Sequence, residues 1–248
     1  MARQRQLHRA PIREALIDFQ IEASIQSLDP INRLSDALAG QASRVGDIWQ
    51  GQLGVELGQG AVASPQFASA IVGKRFDFDD SHHVVQFRTG GMTFSRLPPY
   101  QDWAHMRERA AHFWRMYSQA TRPNAIVRLA VRYINEIRVP VPVTDFAEYL
   151  TAAPSVPPSL PQSVSGFMQK VNIIDRASSM IAGVVQAIDG SQATPEEIPI
   201  LLDIEVYQEL KLRGQDMEAA WGHLDAMRDF KNRIFFEHIQ ERTAGMYE

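Results

Sequence analysis

Ala125-Ile-Val-Arg-Leu-Ala-Val-Arg-Tyr-Ile-Asn-Glu-Ile-Arg138 changes chemistry from one residue to the next. Val127, Leu129, Val131, Tyr133 and Ile137 fall on one side, and Arg128, Arg132, Glu136 and Arg138 on the other. Successive side chains of a strand point to opposite faces, so this spacing predicts a strand with one buried face and one charged face. Asn135 lands on the apolar side. A buried amide needs hydrogen-bond partners, and backbone groups of a neighbouring segment are the expected ones.

Similar patterns extend outward in both directions. From Glu14 to Ile25 the residues Ala15, Ile17, Phe19, Ile21, Ala23 and Ile25 alternate with polar ones, which predicts another half-buried strand. Asp29-Pro30 opens a short helix that runs through Leu38 and stops at Gly40. Phe67 to Phe78 and His83 to Leu97 read as strands about a turn at Asp79, Asp80 and Ser81. Within the second run the apolar phase slips from Val85 and Phe87 to Met92 and Phe94, and Gly90-Gly91 predicts a bulge or a tight hairpin at the slip. After Pro98-Pro99, the residues Tyr100, Trp103, Met106, Ala110, Phe113, Trp114 and Tyr117 recur at helical spacing. Gly166 to Asp175, Ser179 to Asp189 and Ile200 to Leu210 predict three more strands. A closing helix from Asp216 to about Glu241 carries Met217, Trp221, Leu224, Met227, Ile234, Phe235 and Ile239 as its apolar stripe.

This order predicts an α+β fold: a mainly antiparallel, curved sheet of about seven strands covered by two long helices, with a helix-grip arrangement as one such topology. Residues 1–12 read as a flexible basic arm and 13–248 as a single α+β domain. An irregular Gly-rich loop over 40–66, with room for one strand, and a Pro-rich connection over 140–162, with one helical turn at Asp145 to Leu150, interrupt it.

Apolar residues at 45% and charged residues at 22% exclude disorder and coiled coil as descriptions of the whole chain. The absence of cysteine removes disulfides, thiolate metal sites and cysteine nucleophiles. A net charge of −4 leaves no global positive field toward nucleic acid or anionic lipid. No apolar run approaches the roughly 20 residues that span a bilayer. Met1 to Arg13 lacks the apolar segment of a secretory signal, so the expected address is cytoplasmic, with no membrane partner.

Five stretches carry a resemblance: Ala10-Pro-Ile-Arg-Glu-Ala15, Pro98-Pro-Tyr-Gln-Asp-Trp103, Arg132-Tyr-Ile-Asn135, Leu202-Asp-Ile-Glu205 and Lys231-Asn-Arg-Ile-Phe-Phe236. Through them the chain resembles, over nearly its whole length, a sporadically distributed family of uncharacterised prokaryotic proteins. The family's usual fourth stretch ends in Asp where this chain has Glu205. The resemblance implies no activity, and its scattered occurrence implies an accessory or defence-type setting.

Among residues able to carry chemistry, Asp203 and Glu205 stand two apart on a strand and share a face, as a cation-binding or acid–base pair requires. Asp18 and Glu22 with Arg128, Arg132 and Arg138 offer ion pairing across neighbouring strands instead, which is the preferred reading. The histidines do not assemble. His82 and His83 are adjacent and face opposite ways, and His105 and His112 are seven apart where a helical zinc site uses four. No metal and no cofactor are expected. Gly51-Gln-Leu-Gly-Val-Glu-Leu-Gly-Gln-Gly60 has the wrong spacing for a phosphate loop, and no Gly-x-Ser-x-Gly elbow is present. Arg3, Arg5, Arg9 and Arg13 are the only candidate contact to nucleic acid, set against an acidic total.

The expected function is a non-enzymatic binding or interaction protein. Its partner would be another protein or a second copy engaging the closing helix, and its candidate surface is Arg128, Arg132, Asn135, Asp203 and Glu205. The alternative is a small-ligand module or hydrolase with a pocket between the sheet and the C-terminal helix. A large apolar cavity with convergent Arg128, Arg132 or Asn135 would favour that alternative, and a filled core with a flat exposed patch would favour the partner reading.

Overall fold

In the computed structural model, which describes residues 1–22, 25–55, 65–189 and 193–248, nine strands form one open antiparallel sheet. They are β1 (Ile12–Ile21), β2 (Arg44–Val55), β3 (Pro65–Phe78), β4 (His83–Arg88), β5 (Gly91–Arg96), β6 (Ala125–Pro140), β7 (Gly166–Asp175), β8 (Met180–Asp189) and β9 (Glu197–Arg213). Their spatial order is β2-β3-β4-β5-β1-β6-β9-β8-β7, so the first strand in sequence lies at the centre. Two long helices, α2 (Trp103–Thr121) and α3 (Met217–His238), accompany two short ones, α1 (Asp29–Ala37) and α4 (Glu241–Gly245). No helix among the described residues is long and apolar enough to cross a membrane.

The sheet exceeds the expected seven strands for two local reasons. The phase slip at Gly90-Gly91 is a hairpin, so the run from His83 is two strands, β4 and β5. Gly91 has φ +150° and a Cβ there would stand 2.0 Å from the Phe19 carbonyl oxygen, so only glycine lets β5 close on β1. The second reason is β2, the one strand for which the Gly-rich 40–66 region left room outside the count of seven, which pairs with β3 along its length. Its glycines remove packing but keep the backbone ladder, and at an edge the ladder suffices; Trp49 there is 62% exposed. Residues 56–64, which include the second half of the Gly51 to Gly60 stretch, lie outside the described residues. So do 23–24, at the end of the first expected strand, and 190–192, in the loop expected after Asp189. The Pro-rich connection carries one tight helical turn at Phe146–Glu148.

On β6 the alternation holds from Leu129 onward. Leu129, Val131, Tyr133 and Ile137 are buried, but Val127 is half-buried and Ile126 takes its place in the core. A register shift against β1 is the cause: Gln20 pairs with Arg128 and Ile21 with Ile126, so β6 carries one extra residue there and its phase reverses.

Two aromatic contacts seat the long helices on the sheet. Phe19 of β1 stacks on Trp114 of α2 with ring centroids 4.4 Å apart, and meets Trp221 of α3 edge-on at 5.7 Å. Asp102 caps α2 by accepting the His105 backbone N–H at 2.8 Å. Along α3, Ala220, Trp221, Leu224, Met227, Ile234 and Phe235 are buried, so the apolar stripe expected to seek a second copy is covered within the chain.

Residues 1–12 are not the free arm expected. The Ala2 N–H donates to the Phe236 and Ile239 carbonyls at 3.2 and 2.9 Å, and the Arg9 N–H donates to the Tyr247 carbonyl at 3.1 Å. Arg5 donates to Glu248 at 2.6 Å and pairs with Glu241 at 2.7 Å. These partners stand at the far end of the chain, which is why a local reading found only solvated arginines.

Gly91→Ala should destabilise the fold by at least about 1–3 kcal/mol, read as a lower urea midpoint. Gly46→Ala, where a Cβ meets nothing within 4 Å, should leave the midpoint almost unchanged.

Candidate functional site

β6 presents two different surfaces. Its outer face carries the charges singled out in the sequence, and they are matched across strands. Arg132 donates to both Asp203 oxygens at 2.9 and 2.6 Å, and Arg128 donates to Glu205 at 2.9 Å while standing 3.7 Å from Asp18. Asp18 also accepts from Arg88 and, at 2.6 Å, from Thr93. The Arg128 guanidinium lies 4.3 Å from the Tyr207 ring centroid. Two other expected pairs find different partners: Glu22 meets Lys211, and Arg138 bridges Glu136 and Glu197. Asp203 and Glu205 therefore share a face, each held by an arginine. No cluster of three or more His, Asp or Glu placed to hold a metal ion occurs among the described residues.

The inner face of β6 opens on a cleft of about 680 Å³. Four elements wall it: the N-terminal segment through Leu7, Ala10 and Pro11; the start of α2 through Tyr100 and Trp103; β6 through Tyr133 and Asn135; and α3 through Arg228, Lys231, Asn232 and Phe235. Each wall has a reason in the sequence. Trp103 is fixed by donating Nε1–H to Asp225 of α3 at 2.6 Å, and Arg107 binds the same carboxylate at 2.9 Å. The backbone N–H of Glu136 donates to the Pro11 carbonyl at 2.8 Å, tying the N-terminal segment to β6. Asn135 is buried and its amide donates to the Leu202 carbonyl at 2.9 Å and the Tyr133 carbonyl at 3.3 Å, as expected of an amide on an apolar face. Of the five sequence-predicted surface residues, Asn135 reaches this cleft, while Arg128, Arg132, Asp203 and Glu205 lie on the opposite face.

Lys231 lines the cleft from α3; it is 7% exposed, its ammonium nitrogen 3.6 Å from the Tyr133 ring centroid. Burial and the nearby Arg228 cation lower its pKa to about 7, and no carboxylate offsets them. The other charged or titratable groups facing the cleft are Arg5 and His8 from the N-terminal segment, Tyr100 and Asp102 before α2, Tyr133 on β6 and Arg228 on α3. Arg5 is committed to Glu241 and Glu248, and Asp102 to His105. The Tyr100 and Tyr133 hydroxyls are 3.1 Å apart, and burial raises the pKa of both, well above the ordinary value for Tyr133. Arg228 meets Asp229 at 2.9 Å, but its Nε is buried without a partner.

Other cavities hold less. A cleft of about 1010 Å³ beyond the end of α2 is lined by Arg115, Arg122 and Arg213, all exposed. A third, of about 500 Å³, contains His83, whose pKa burial lowers to about 4, so it stays neutral with Nε2 unpartnered.

Sequence reading missed Lys231 and Arg228 as site residues, and assigned Tyr100 to core packing in preference to a ligand cavity. The signal was present for Lys231: positions 224, 227, 231 and 234 recur at helical spacing, which puts the lysine on the buried face of α3. No family model matches the chain, and no curated protein matches it.

A lysine with a lowered pKa binds fewer protons folded than unfolded, so between about 7 and the unfolded value near 10.4 stability rises with pH. Lys231→Met should therefore stabilise the protein most below pH 7, and this advantage should shrink by about 2–3 kcal/mol from pH 6 to pH 9 in urea titrations. Asp203→Asn should cost about 1 kcal/mol in the same assay, because it leaves Arg132 with a weaker partner.

Proposed function

We propose that this protein is a binding module for a small anionic molecule, held in the cleft between the sheet and α3. The observation that carries this reading is the Lys231 amine, buried in that cleft without a carboxylate partner. A buried cation is costly unless it meets a negative charge, and a ligand acid group would supply one. Arg228, with a buried guanidinium nitrogen unpartnered, adds a second donor on the same helix. The volume suits a small metabolite, and the aromatic walls of Tyr100, Trp103 and Phe235 suit its apolar part. Placement between sheet and closing helix agrees with a helix-grip arrangement. Four of the five stretches that carry the family resemblance contribute to the walls, through Ala10, Tyr100, Tyr133 and Lys231, and the fifth meets Asn135 through the Leu202 carbonyl.

One observation favours a second reading, that of a protein-interaction module. Edge strand β7 exposes Met168, Val171 and Ile174, and a partner strand added there would cover them.

Native mass spectrometry of the protein purified from its own host, with thermal melts against a panel of small carboxylates and phosphate esters, tests the cleft reading. A retained acidic ligand, or a saturable rise in Tm with one of the anions, is expected for the wild type and lost in Lys231→Met and Arg228→Met. No retained mass and no anion-dependent shift, with a second chain seen instead, would replace it with the interaction reading.

A further inference from the structure

We infer that Lys231 is a carbonyl-capturing amine, which forms an imine with a small aldehyde or 2-oxo acid whose acid group is held by Arg228. The inference rests on the anion-binding reading of the cleft and goes further by assigning the ligand a carbonyl group. Three features of the geometry carry it. The Lys231 amine is more than nine-tenths buried, faces an open cleft and has no carboxylate to hold it as an ammonium. A lysine that only neutralised a ligand's charge would do so best fully protonated, whereas burial beside a second cation favours the neutral, nucleophilic form. With the pKa lowered to about 7, a large share of the amine is free near neutrality.

The second feature is a pair of phenols in the same cleft wall. The nitrogen faces the ring of Tyr133, whose hydroxyl donates to the Met106 sulfur at 3.8 Å and lies 3.1 Å from that of Tyr100. Both phenols are kept protonated by burial, so the pair can deliver a proton and recover one, as imine formation requires. The third feature is Arg228, one helical turn before Lys231 on α3, close enough to act on its charge.

In the step itself, the nitrogen lone pair attacks the carbonyl carbon and forms the C–N bond, while the carbonyl π pair moves to oxygen. That oxygen takes a proton relayed by Tyr133, and the nitrogen gives one up. The resulting hydroxyl takes a further proton and leaves as water as the nitrogen lone pair closes the C=N bond, and the iminium nitrogen then gives up its remaining proton, which replaces the one taken. The sum is amine plus carbonyl giving imine plus water, with no oxidant or reductant.

The chain has four lysines, so Lys74, Lys170 and Lys211 serve as internal controls. The full-length protein is incubated near neutral pH with limiting glyoxylate and cyanoborohydride, which reduces an imine to a stable amine, and the adducts are mapped by peptide mass spectrometry. Labelling at Lys231 should exceed that at each other lysine by about tenfold or more, and should rise as pH increases through about 7. Arg228→Met should cut glyoxylate labelling of Lys231 by a larger factor than its labelling by formaldehyde, which has no acid group and senses only the loss of the cation that favours the neutral amine. Lys231→Met, confirmed as folded by circular dichroism, should remove the excess adduct. Even labelling of the four lysines overturns the inference. If even labelling accompanies an anion-dependent Tm shift that needs Lys231, only the imine fails; if the shift is also absent, the anion-binding reading fails with it.

Discussion

Phe19 lies between two tryptophans. Its ring stacks on Trp114 and takes the edge of Trp221, so one side chain on the central strand sets the height and spacing of both long helices above the sheet. Around it Phe78, Phe87 and Phe94 surround Phe113 of α2, and the Tyr117 hydroxyl donates to the Arg88 carbonyl at 2.9 Å. Once α2 is seated this way, its first turn must stand beside α3, where Trp103 and Arg107 share Asp225. The gap left between the helix start, β6 and α3 is the cleft. Its width follows from ring packing well away from the residues that line it.

The division of labour across β6 follows from the same strand geometry. Even-numbered Arg128 and Arg132 meet carboxylates of β1 and β9 in a water-facing network that keeps the outer face polar. Odd-numbered Tyr133 and Asn135 face inward, where water is scarce and each polar atom needs a fixed partner. Asn135 has two carbonyls; Tyr133 has Tyr100 and the face of its ring against Lys231. The lysine is the one group in this wall whose demand for charge the protein leaves unmet. Replacing a buried cation with an apolar side chain of similar size generally stabilises a core, so a chain that keeps one accepts a lower stability in return for something else.

Legibility in the sequence depended on how local the determining contacts are. The alternations of β1 and β6, the helical periods of α1, α2 and α3, and the strand placements near β7, β8 and β9 depend on neighbours within a few positions, and these emerged close to their observed bounds. Ile126 and Val127 did not, because the bulge that exchanges them is a property of the pairing with β1. Nor did β2, whose only support is its hydrogen-bonded partner β3. The cleft draws on segments as distant as Pro11 and Phe235, and no single stretch contains it. Its one local trace was a lysine standing where the stripe of α3 called for an apolar residue.

The placement of β1 has a consequence for the order in which the molecule assembles. This strand is made first, yet its neighbours are β5 and β6, so it has no hydrogen-bonded partner until some seventy further residues have followed. The segment ahead of it waits longer still, since Ala2, Arg5 and Arg9 bind residues from Phe236 to Glu248. Pairing across such separations is slow to nucleate because loop-closure entropy must be overcome before the contacts form. The cleft therefore depends on the widest separations among the described residues, closing only when residues 228–248 are available for residues 2–12 to fold back onto them.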